Sequence, residues 1–95
     1  MKSYSDYLSK IGRRVKLYRV SKGLKQDDLS ALSGVSKRSI SRLEQGETVQ
    51  DANLFRVLIA LGLGENIDLL VPDQTLVGDY VQKRVYRKET RPSDK

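Results

Sequence analysis

Ninety-five residues with 18 Lys and Arg against 12 Asp and Glu carry a formal charge of +6 and a pI of about 9.7, which suits one domain with a modest core and a polyanionic partner. The absence of Cys excludes a disulfide scaffold and thiolate zinc sites, and the absence of His removes the commonest general base and metal ligand. No apolar run approaches the roughly 18 residues of a membrane span and no signal peptide opens the chain, so a cytoplasmic, non-enzymatic protein without metal or cofactor is expected.

The first helix is expected to begin near Ser5 or Asp6, either of which can cap it. Leu8, Ile11, Val15 and Tyr18 follow at spacings of three and four and form one apolar stripe, with Lys10, Arg13, Arg14 and Lys16 on the other faces. Gly23 supplies a left-handed stop and Leu24 re-enters the core. A second helix is expected from Gln26 to Ser33, turning Leu29 and Leu32 inward. Lys25 stands at its cap position, where a residue unable to accept a hydrogen bond costs about 1 kcal/mol. Asp27 and Asp28 in its first turn offset part of that through the helix dipole.

Gly34 ends this helix at a point where a side chain would cost roughly 1–2 kcal/mol. Ser36 then caps a third helix that runs to Gln45 and stops at Gly46. Two short helices around Gly34-Val35-Ser36 are the outline of a helix-turn-helix. With about 100° of rotation per residue, Ile40 and Leu43 face the core, so Arg38, Ser41, Arg42 and Gln45 face away, with Lys37 at the exposed start. A helix with a basic, amide-bearing outer face suits the major groove of DNA.

Asp51 is the expected cap of a fourth helix, Ala52 to Leu61, that buries Leu54, Val57, Leu58 and Leu61. Phe55 and Ile59 then share another face one turn apart. Gly62 and Gly64 break the chain, Asn66 caps a short fifth helix from Ile67 to Leu70, and Pro72 closes it. Between Thr75 and Tyr86 the Val, Thr and Tyr content favours strand while the four-residue recurrence of Val77, Val81 and Val85 favours helix, and both readings stay open. The segment KRVYRKETR (83–91) is a basic run, and the last residues are expected to be disordered. Lys83, Arg84, Arg87, Lys88 and Arg91 are either solvated charges or an arm that reaches DNA.

Taken together, IGRRVKLYR, GLKQDDL, GVSKRSISRLEQG and LFRVLIALGL resemble, at correct mutual spacing, the Cro/C1-type helix-turn-helix of phage repressors and Xre-type bacterial regulators. The resemblance runs from Ile11 to about Leu70 and departs from the family pattern at Lys25, usually Ser or Thr, and Ser30, usually Ala. It implies an all-α, five-helix lambda-repressor-like domain over residues 5–71, followed by a short C-terminal extension over residues 72–95 that serves dimerisation or partner contact. It places Gln26 on a phosphate and Lys37, Arg38 and Arg42 on base edges, where paired Arg donors suit guanine O6 and N7. Ser36, Ser41, Gln45 and Lys25 are placed for phosphate or sugar contacts, which position a protein without reading sequence. It also pairs Arg19 with Glu44 in a partly buried ion pair, against the alternative of two solvated charges.

Phe55 and Ile59 are expected at a two-fold dimer interface, unless the segment holding Leu76, Val77, Tyr80 and Val81 folds over them within one chain. A dimeric repressor on an inverted-repeat operator in double-stranded DNA is the leading functional expectation. The segment ALGLGENIDLLVPD is also similar to HipB-type antitoxins, which implies a kinase-like toxin as partner, and a restriction–modification controller has the same fold. The carboxylate pairs Asp27 with Asp28 and Glu65 with Asp68 are better explained as first-turn and surface charges than as an acid/base couple.

Overall fold

Apolar residues recurring three and four apart need helices. The computed structural model, which describes residues 2–71 and 73, has five: α1 (Tyr4–Ser21), α2 (Gln26–Ser33), α3 (Lys37–Glu44), α4 (Asp51–Ala60) and α5 (Gly64–Ile67). Among the described residues there is no strand, and no helix is long and apolar enough to cross a membrane. What the sequence suggests for 74–95, including the strand-or-helix question and the basic run, lies outside the described residues.

α3 sits at the centre, packed against α1, α2 and α4. Val15, Leu29, Val35, Ile40, Leu43, Val57 and Leu61 form the fully buried core, one or two from each of α1 to α4 or the residues just after them. Ile11, Leu24, Val49, Leu54, Leu58 and Leu63 cover it from the sides. The fold is thus a layer of helices closing around the inner face of α3, which leaves its outer face to solvent.

Five local expectations are corrected. α1 starts at Tyr4, because Ser3 rather than Ser5 or Asp6 caps it. Ser3 Oγ accepts from the Asp6 N–H at 3.3 Å and the Asp6 carboxylate accepts from the Ser3 N–H at 3.2 Å. This reciprocal pair satisfies two terminal amides at once, which a lone cap at Ser5 or Asp6 cannot do. The inner face of α1 then runs through Gly12, Val15 and Arg19, and Tyr18 is left exposed.

On α2, Leu29 is buried but Leu32 is 63% exposed. The left-handed turn at Gly34 carries Val35 back into the core, and Val35 takes the place that Leu32 was expected to fill. α4 begins at Asp51 itself with Gln50 as a cap that makes no side-chain bond, so Asp51 serves as a first-turn charge. α5 spans Gly64–Ile67, earlier than the expected 67–70. The turn after α4 sets this register: the Leu63 N–H donates to the Leu58 carbonyl at 2.8 Å, and α5 follows at once. Leu69, Leu70 and Val71 consequently stand exposed.

Gly12 is the contact point between α1 and α3. A Cβ there would overlap the Leu43 carbonyl oxygen and lie 3.1 Å from the Glu44 carbonyl carbon. The absent side chain lets the two backbones touch, which fixes how α3 is presented.

Candidate nucleic-acid interface

α3 is held by its ends as well as by its core. Ser36 Oγ accepts from the Ser39 N–H at 3.1 Å and so closes the N-terminus. At the other end Gly46 adopts φ +83°, the Gly46 N–H donates to the Leu43 carbonyl at 3.0 Å, and the Glu47 N–H donates to the Arg42 carbonyl at 2.9 Å. This is a Schellman motif, which only a residue at ease with positive φ closes without strain.

The angle of α3 is locked by a polar network at the edge of the core. Arg19 Nε donates to Glu44 Oε2 at 2.6 Å and Arg19 Nη2 to Glu44 Oε1 at 3.0 Å, with the two side chains 10% and 4% exposed. This fork-to-fork geometry is the strong form of an Arg–carboxylate pair. Arg19 Nη1 donates to the Leu24 carbonyl at 2.8 Å, and Gln26 Nε2 donates to Glu44 Oε1 at 3.1 Å. One carboxylate on α3 is therefore tied to α1 and α2 together. No buried side-chain nitrogen or oxygen among the described residues lacks a partner.

The outer face is a row of exposed polar side chains. Lys37, Arg38, Arg42 and Gln45 are exposed and Ser41 is half-buried beneath them. Lys37 Nζ lies 3.5 Å from Asp27 Oδ1 with both side chains mostly in water, an ion pair of little energetic weight. Arg42 Nε donates to Glu47 Oε1 at 3.1 Å, and Gln45 Nε2 donates to Ser41 Oγ at 3.2 Å. Among the described residues Arg38 makes no hydrogen bond or ion pair, and it is exposed.

The remaining sequence-predicted residues divide by role. Lys25 is exposed at the α2 terminus, and its backbone N–H donates to the Asp28 carboxylate at 2.8 Å while its side chain caps nothing. Gln26 gives one amide hydrogen to Glu44, which leaves its second N–H for a phosphate. Ser36 is engaged as the cap of α3. Phe55 is half-buried and Ile59 is 62% exposed, so the two do not form an equally open pair. Sequence reasoning missed Glu47, the Gln26–Glu44 bond and the Leu24 carbonyl. Glu47 was within reach of it, since a Gly one residue past a helix end folds the next residue back onto the last turn.

Cations also crowd the first half of α1. Lys10 is pulled below the ordinary ammonium value first by the Lys2 side chain, through a hydrogen-bonding effect that favours the neutral amine and through its like charge, then by desolvation and by the charges of Arg14 and Arg13. A neighbouring polyanion would relieve this repulsion.

Comparison with known proteins agrees with the geometry. A helix-turn-helix family model matches residues 15–66, more than half of the chain. A Sinorhizobium fredii protein named as an uncharacterized HTH-type transcriptional regulator, y4mF, is 38% identical over 65 residues, covering 67% of this chain and 83% of that protein. With five helices, a glycine-turned pair at its centre and these matches, the chain belongs to the Cro/C1-type, or Xre-type, helix-turn-helix family of transcriptional regulators.

Proposed function

We propose that this protein is a sequence-specific regulator that binds double-stranded DNA as a homodimer and represses by occupying an inverted-repeat operator. The outer face of α3 carries the reading. Lys37, Arg38, Arg42 and Gln45 stand in solvent on a helix whose other face is wholly buried through Ile40 and Leu43. Its tilt is fixed by Arg19 and Glu44. Rigid presentation of Arg and amide side chains is what major-groove readout requires. Lys37, Arg38 and Arg42 read base edges, while Lys25, Gln26, Ser36, Ser41 and Gln45 contact phosphate or sugar.

The dimer reading is supported by apolar surface at the α4–α5 end, where Ile59, Leu69, Leu70 and Val71 are exposed. Two copies of α3 about 34 Å apart would enter successive major grooves. The same exposed Leu69-Leu70-Val71 favours a second reading, an antitoxin that also neutralises a kinase-like toxin. Co-purification with the product of the neighbouring reading frame tests that reading.

Selection of duplexes from a randomised pool, followed by salt titration of the selected site, tests the main proposal. An inverted repeat with half-sites one helical turn apart is the expected result. Weak, salt-sensitive binding with no motif would overturn it.

A further inference from the structure

We propose that Glu47 is a specificity-determining residue, which positions Arg42 for base readout by holding its Nε. This deepens, and rests on, the reading of α3 as the DNA-contacting helix. The Schellman turn at Gly46 returns the Glu47 backbone to the Arg42 carbonyl at 2.9 Å, so the two side chains start from adjacent points on the helix end. Glu47 Oε1 then accepts from Arg42 Nε at 3.1 Å. That contact uses the edge of the guanidinium and leaves the two terminal nitrogens, the pair that matches guanine O6 and N7. Glu44, the other carboxylate at this end of α3, is held by Arg19 and Gln26 and cannot compete for Arg42.

Arg42 needs such a restraint. It is about half exposed and stands beside an open cleft of about 490 Å³ lined by Ser39, Thr48, Val49, Gln50 and Asn53. A long side chain with that space beside it has several rotamers that point away from a base, and each dilutes the reading one. The bond from Nε to Glu47 selects among them before DNA arrives. In water the pair adds almost nothing to stability, so its use is geometric. The Glu47 charge has a second effect. A carboxylate near phosphates opposes DNA wherever Arg42 finds no guanine to compensate, so wrong sites are weakened more than right ones.

The experiment uses the full chain and fluorescence anisotropy on three duplexes: the selected site, that site with the base pair assigned by Arg42→Ala replaced, and a random sequence. Glu47→Ala is expected to lower discrimination at the Arg42 base pair about tenfold, within the range of one bidentate contact. It should also tighten binding to the random duplex a few-fold, because one negative charge per protomer is lost. Glu47→Gln keeps an acceptor for Nε and should retain most of the discrimination while still tightening random binding. In the Arg42→Ala background, Glu47→Ala should change discrimination no further. Unchanged discrimination in Glu47→Ala, or an equal loss with and without Arg42, would overturn the positioning role. A wild-type chain that prefers no base pair would overturn the DNA-reading proposal itself. Both substitutions are at an exposed turn, and thermal melting confirms that the variants remain folded.

Discussion

Two arginines at opposite faces of the same helix assembly do different physical work. Arg19 is 8% exposed and makes three hydrogen bonds, two to Glu44 and one to the Leu24 carbonyl. Arg42 is in solvent and makes one bond, to Glu47. Removing one partner of a buried ion pair strands the other charge, so Glu44→Ala is expected to cost roughly 3 kcal/mol or more in denaturant unfolding. Base preference among the molecules still folded should fall less than stability does. The opposite pattern is expected on the outer face. Arg38→Ala and Arg42→Ala should leave the unfolding midpoint within about 0.5 kcal/mol of wild type, as ordinary surface substitutions do. Each should cost about 1–3 kcal/mol at its own base pair of the operator. A Glu44→Ala variant as stable as wild type would mean that the network does not anchor α3.

At the scale of the helix, caps and crossings set what the residues can reach. Lys25 precedes α2 without capping it by a side-chain bond, and it lies at the rim of the proposed interface. Lys25→Ser should therefore stabilise the fold by about 1 kcal/mol, read from the melting curve. It should also flatten the salt dependence of DNA binding by about one unit of slope per protomer, if Lys25 neutralises a phosphate. Gly12→Ala tests the crossing of α1 with α3. Alanine is better than glycine by about 1 kcal/mol inside an isolated helix. Here its methyl would collide with the Leu43 carbonyl oxygen, so net destabilisation is expected in spite of that preference. These two sites also mark what was legible. The Ser36 cap and the glycine stops are written locally, in a few adjacent residues, and the structure has them where local rules place them. The burial of Gly12, with no side chain to pattern, depends on a helix about thirty positions away and leaves no periodic signal.

At the scale of the whole molecule, Ile59 tests the proposed assembly. Ile59 is 62% exposed on α4, so Ile59→Lys should leave the monomer folded. If it lies at a dimer interface, sedimentation should report monomer and affinity for the paired site should fall toward that for one half-site. A dimer that persists would move the interface elsewhere on the chain.

The sequence by itself determined the helical class, the glycine-turned pair of helices at the centre and which face of α3 is polar. Those follow from 3.6-residue periodicity and from backbone angles that glycine reaches without strain. Only the tertiary structure decided that Val35 and not Leu32 fills the core, that Arg19 and not Tyr18 ends the inner face of α1, and that α5 begins at Gly64. It alone brought Gln26 to Glu44. Periodicity gives the direction of a side chain around its own axis. What that side chain meets depends on the crossing of helices distant in sequence, and close packing admits one arrangement of them.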